Sequence, residues 1–138
     1  MPEHPQYNVS VIVNPNSSTL LYGSAYTGGR GMWPVRDDHN APCSVCYRLG
    51  RQQVVMFPAR QTCYPPFTLE YSGFLLQGLD DAKRTSEYIC VDKDAEIVPG
   101  FAYFQPANAW YVSFVRCISL QCPPYLFDKP LTCVVCSR

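Results

Sequence analysis

The stretch FTLEYSGFLLQG, Phe67 to Gly78, is the strongest strand signal in the chain. Aromatic and aliphatic residues of this kind fit a pleated, half-buried surface. Side chains alternate along a strand, so Thr68, Glu70 and Ser72 share one face. Gly73 has no side chain and marks where the strand is expected to bend. Glu70 is the anomaly, a carboxylate in an otherwise apolar strand. If its face is buried, it needs a partner such as Arg60 or a metal. If the face is open, it is an ordinary surface residue. Glu87, in SEYICV, poses the same question.

Working outward, YNVSVIV (Tyr7 to Val13), TLLYGSAYT (Thr19 to Thr27), QQVVMFP (Gln52 to Pro58), SEYICVD (Ser86 to Asp92), NAWYVSFVRC (Asn108 to Cys117) and LTCVVCS (Leu131 to Ser137) also read as strands. Gly23 is a possible bulge position in the second of these. Turn-like or irregular segments separate them: NPNSS, LDDAKRT, KDAEIVPG and QCPPYLFDKP. Thirteen prolines and ten tyrosines argue against helix, because a proline inside a helix costs about 3 kcal/mol. The longest proline-free stretch is Phe67 to Val98. The pattern predicts an all-β fold with little or no helix, an antiparallel sandwich or barrel-like domain.

The 138 residues suit one domain. Charged residues are only 16% and the net charge is zero. Lys and Arg are scattered without a basic stripe, which excludes nucleic acid as the expected partner. No run of apolar residues is long enough for a membrane-spanning helix. The opening MPEHPQYN has no apolar signal core, so the chain reads as a mature secreted form with an added Met in preference to a protein that is not secreted by the usual route. NVS (Asn8 to Ser10) and NSS (Asn16 to Ser18) match the N-glycosylation acceptor, a motif that also arises by chance.

Eight cysteines stand at positions 43, 46, 63, 90, 117, 122, 133 and 136. Two Cys-x-x-Cys pairs, Cys43/Cys46 and Cys133/Cys136, raise the question of metal or redox chemistry. Zinc ribbons close over short spacers. Here residues 47–132 separate the pairs, and a four-thiolate site leaves Cys63, Cys90, Cys117 and Cys122 unexplained, so no zinc is expected. A thioredoxin-type site needs a helix after its first cysteine, yet Pro42 precedes the pair and no helix follows. A disulfide framework uses all eight cysteines at once and implies an oxidising compartment, hence secretion. The pairing stays open.

The segments PCSVCYRLGRQQVVMFPARQTCYPPFTLEYSGFLL, SEYICVDKDAE, LQCPPY and LTCVVCSR together resemble the C-terminal globular domain of short-chain, spongin-type collagen-like proteins of sponges and other marine invertebrates. The resemblance runs from about Leu20 to Arg138, so residues 1–18 read as an N-terminal extension or edge strand and 19–138 as a single cysteine-rich domain. Some members are lectins that bind galactose-type sugars with calcium. The resemblance therefore implies an extracellular carbohydrate-binding module, calcium-assisted, with glycans or glycoproteins as partners. The alternative it implies is a structural matrix module that self-associates into homo-oligomers. The family domain carries an earlier copy of the ARQTCYPPFTLEYSGFLL…EYICVD unit, which this chain lacks. A site built between two copies is then absent or completed by a second chain.

Site candidates cluster in GGRGMWPVRDDHNAP, Gly28 to Pro42, a loop long enough to be functional. Calcium takes six to eight hard oxygens. Asp37, Asp38 and Asn40 offer some, with Glu70 and Glu87 as further ligands. Asp92, Asp94 and Glu96 alternate in VDKDAE, but the glycine and distal glutamate of an EF-hand are missing, so they read as an exposed turn. Sugars need an aromatic face against ring C–H bonds and planar polar groups on the hydroxyls. Trp33 supplies the face, and Asp37, Asp38, His39, Asn40, Arg60 and Glu70 supply the polar contacts. Trp110 opens a strand and reads as core. With His4 and His39 as the only histidines and no nucleophile motif, the chain is not expected to be an enzyme.

Overall fold

A computed structural model of the chain describes residues 6, 23–27, 39–78, 87–99 and 108–138. Every regular element among them is a strand: β1 (Ser24–Thr27), β2 (His39–Asn40), β3 (Val54–Pro58), β4 (Thr68–Gly78), β5 (Ile89–Asp92), β6 (Asn108–Val112) and β7 (Thr132–Ser137). The expected all-β, disulfide-stapled fold is what forms. One ladder departs from the antiparallel expectation: β1 runs parallel to β6, from Ser24 opposite Asn108 to Thr27 opposite Tyr111. Long-range pairing direction has no signature in the local alternation that marks a strand. The expected strand at 7–13, both glycosylation motifs and the proposed boundary near residue 18 lie outside the described residues. β2 was not anticipated; it forms where the long loop ends, pairing antiparallel with β1.

The sheet runs in the order β2-β1-β6-β4-β7-β3, with β5 added on the other edge of β4. β4 organises it. Its first part pairs with β7, from Thr68 opposite Ser137 to Phe74 opposite Thr132. Its last part pairs with β6, from Leu76 opposite Val112 to Gly78 opposite Trp110. The changeover is a three-way junction at Leu75. The Leu75 N–H donates to the Leu131 carbonyl, the Ser113 N–H to the Leu75 carbonyl and the Leu131 N–H to the Ser113 carbonyl, each at 2.9 Å. No backbone group is orphaned where the two neighbours diverge.

Gly73 sits in register with both Asp92 and Cys133. A Cβ there would lie 1.7 Å from the Val91 carbonyl oxygen. The glycine therefore permits the close approach of β5. The irregularity in β4 falls earlier, between Leu69 and Tyr71, where the register with β7 shifts and Glu70 is the extra residue. Gly23 lies outside β1, in open space.

One core forms around Tyr26, Leu76 and Val112, joined by half-buried Phe74, Ile89, Val91, Ile97 and Trp110. Trp110 is thus a core residue, its ring 6.4 Å from that of Tyr26. Burial raises the Tyr26 hydroxyl above its ordinary pKa, with a smaller contribution from Cys43. Cys133, Val134 and Cys136 on β7 are fully buried.

Three bridges close: Cys63–Cys136, Cys90–Cys133 and Cys117–Cys122. Cys133 and Cys136 are three residues apart on a regular strand, so alternation sends their side chains to opposite faces of the sheet. That geometry rules out a bond between them. One reaches Cys90 on β5, the other Cys63 in the segment between β3 and β4. The expectation of a fourth bridge is not met: Cys43 and Cys46 are free and exposed. The backbone from 41 to 48 makes neither turn nor bend, and a bridge across two residues needs the chain to double back.

Candidate functional site

Among the described residues the sequence candidates do not converge. Trp33, Asp37 and Asp38 lie outside the described residues. His39 and Asn40 form β2 at one edge of the sheet, with β1 and β6 between them and β4. Glu87 is exposed just ahead of β5. Glu70 does have the partner its setting demanded, but that partner is Arg48, not Arg60. The Arg48 Nε and Nη2 both reach Glu70 Oε2 at 2.9 Å, and the Ser137 hydroxyl donates to Oε1. Arg48 comes from the exposed segment ahead of β3, whereas Arg60 lies in the segment beyond β3.

The Ser137 hydrogen bond, then Arg48, hold the Glu70 carboxyl below its ordinary pKa against an opposing effect of burial. The side chain of Glu70 is 16% exposed and that of Arg48 69%, so water screens the ion pair and it contributes modestly. Both Glu70 oxygens are thus engaged, one by a guanidinium and the other by a buried hydroxyl. Asn40 lies three strands away in the sheet order, and no group of three His, Cys, Asp or Glu converges among the described residues. The acidic VDKDAE segment is a turn, as read: the Asp94 N–H donates to Asp92 Oδ1 at 3.0 Å and Lys93 pairs with Asp94 at 2.9 Å.

Arg60 lies elsewhere, in an open groove of about 680 Å³. One wall is the end of β3 and the segment after it: Phe57, Pro58, Ala59, Arg60 and Tyr64. The Ala59 N–H donates to the Thr132 carbonyl at 2.8 Å, and the Cys63–Cys136 bridge ties this wall to β7. The facing wall is Pro124, Tyr125, Leu126 and Lys129. The Cys117–Cys122 bridge closes its loop, and the Val115 N–H donates to the Lys129 carbonyl at 2.9 Å. Both walls are therefore anchored, and the groove is shaped before any ligand arrives.

Its chemistry is aromatic and cationic. Tyr64 is 48% exposed and Tyr125 37%. The Phe57 ring meets Tyr64 edge-on at 5.2 Å. The Arg60 guanidinium lies 3.9 Å over the Tyr64 ring, and Nη1 donates to the Tyr64 hydroxyl at 3.0 Å. Nε and Nη2 bond Thr62, so the fork is locked in place. Lys129 is the second cation, and no carboxylate side chain is among the described residues that line the groove. Sequence reasoning singled out Arg60 but not Tyr64, Tyr125 or Lys129, which line the same groove. A signal for the tyrosines was present: CYPP (63–66) and CPPY (122–125) each set a tyrosine beside a cysteine and a proline pair, a way to hold an aromatic ring rigidly in a loop.

No protein-family model matches this chain, and no curated protein and no solved structure matches it either.

Proposed function

We propose that the chain is an extracellular carbohydrate-binding module whose sugar lies in the groove between the 57–64 and 124–132 segments. The observation that carries the reading is the pairing of two exposed tyrosines with a locked guanidinium and a lysine across a pre-formed groove. Rings supply flat faces for sugar C–H bonds, and the cations supply donors for hydroxyls or acidic groups. A volume of about 680 Å³ falls within the range of small-ligand sites. Three disulfides suit an oxidising compartment, and the resemblance to spongin-type domains points the same way. This groove needs no calcium, so the reading separates from the calcium-assisted one in a single experiment. On a glycan array, binding survives a chelator, and Tyr125→Ala reduces it about tenfold or more while the fold is kept. Undiminished binding by Tyr125→Ala overturns the assignment, and loss on chelation returns the site to the Asp37–Asn40 loop. A second reading, a self-associating matrix module, is favoured by the apolar side chains exposed at Val45, Tyr47 and Leu49.

A further inference from the structure

Six of the eight cysteines are bridged within the chain, and the two that remain, Cys43 and Cys46, are exposed. We infer that Cys43 and Cys46 join this chain to a second copy of itself through interchain disulfides. The inference rests on the oxidising-compartment reading and on the second, self-associating one, not on the sugar site. All eight cysteines lie among the described residues, so each of the two has only the other as a possible partner inside the chain. A disulfide needs Cα atoms about 4.4–6.8 Å apart. Three residue steps of extended chain reach about 10 Å, and 41–48 makes no turn or bend that would fold Cys46 back on Cys43. Accessible thiols in an oxidising compartment are open to disulfide exchange, and with no partner in reach inside the chain these two bond outward.

The surroundings fit a second copy. Residues 42–54 are exposed throughout, and Val45, Tyr47, Leu49 and Val54 project large apolar side chains from this arm. The arm is held in place by Arg48 on Glu70 and by the Gln52 and Gln53 N–H groups on the Arg138 carbonyl. It presents an exposed apolar surface. It leads into β3, the end strand of the sheet order, whose outer edge carries no neighbouring strand among the described residues. With zero net charge, two copies meet without mutual repulsion. For each bond, one thiol from each chain gives up its proton and the pair gives up two electrons. A small-molecule disulfide of the oxidised glutathione class accepts them and leaves as two thiols, by thiolate exchange.

The test uses the full chain made in an oxidising compartment, alongside Cys43→Ser, Cys46→Ser and the double variant. Intact mass under non-reducing conditions should double or more for the parent. Peptide mapping should find Cys43 or Cys46 linked between chains. The double variant should be a monomer under the same denaturing conditions, with the three intrachain bridges and the parent melting temperature retained. A monomeric parent holding its three bridges, with either a Cys43–Cys46 bond inside one chain or two titratable thiols, overturns the inference. Absence of the three bridges as well overturns the oxidising-compartment reading and this inference with it.

Discussion

Replacing Gly73 by alanine tests the account of how β4 and β5 come together. The new Cβ would stand 1.7 Å from the Val91 carbonyl oxygen, 2.7 Å from its carbon and 2.9 Å from the Lys93 nitrogen. All three are backbone atoms, so no side chain can swing aside. Ordinary contact lies near 3.5 Å, so β5 must retreat by roughly 2 Å. The Lys93 N–H bond to the Ser72 carbonyl, now 3.0 Å, would then exceed hydrogen-bonding distance. Losing it costs about 1 kcal/mol, and overpacking adds about 1–3 kcal/mol. The expected total of about 2–4 kcal/mol corresponds to a fall of roughly 10 °C in melting temperature for a domain of this size. Thermal and urea unfolding with the bridges intact measure it, with Gly23→Ala as the control, since nothing lies within 4 Å of a Cβ there. A Gly73→Ala protein within about 0.5 kcal/mol of the parent would refute the close-approach argument.

Glu70→Ala should melt lower than Asp94→Ala, because it strips the acceptor from the fully buried Ser137 hydroxyl, whereas Asp94 sits in an exposed turn and its loss should stay within about 0.5 kcal/mol. Equal melting temperatures contradict this. The folded pKa of Glu70 lies below the ordinary 4.5, so its contribution is complete above that value and disappears as pH falls through the lowered one. Glu70→Gln should remove that part of the acid dependence; an unchanged profile would show that other carboxylates carry it. Removing Cys90 and Cys133 together, which opens a loop spanning 43 residues, should destabilise by about 4 kcal/mol, against about 2 kcal/mol for the pair Cys117 and Cys122, which spans 5. Chemical denaturation of the two double-alanine variants decides, and the reverse order would sink the loop-entropy account.

The strand at Phe67–Gly78 was legible because burial on a sheet leaves an alternating trace in the residues themselves. The staples were legible in kind, since eight cysteines with no helix to present them leave few other uses. Their partners were not. An even count says nothing about whether a bond closes within one chain, and Cys43 and Cys46 make that difference visible. Glu70 could be recognised as a charge needing company, but choosing Arg48 over Arg60 required knowing which segment the fold brings beside it, which is a property of paired strands rather than of one. The groove escaped for a similar reason. Tyr64 and Tyr125 are far apart in sequence, and only the pairing of β3 with β7 sets their loops face to face.

The placement of β7 bears on how the protein is made. β3 and β4 are not neighbours; β7 lies between them. A nascent chain emerging in order therefore displays both strands with open edges until 132–137 follow, and such edges invite association with other chains. Over the same interval the thiols of Cys63 and Cys90 wait for partners that have not yet been synthesised, in the company of Cys43 and Cys46. The strand order thus leaves both edges and both thiols without their native partners until the CVVC segment slots between β3 and β4.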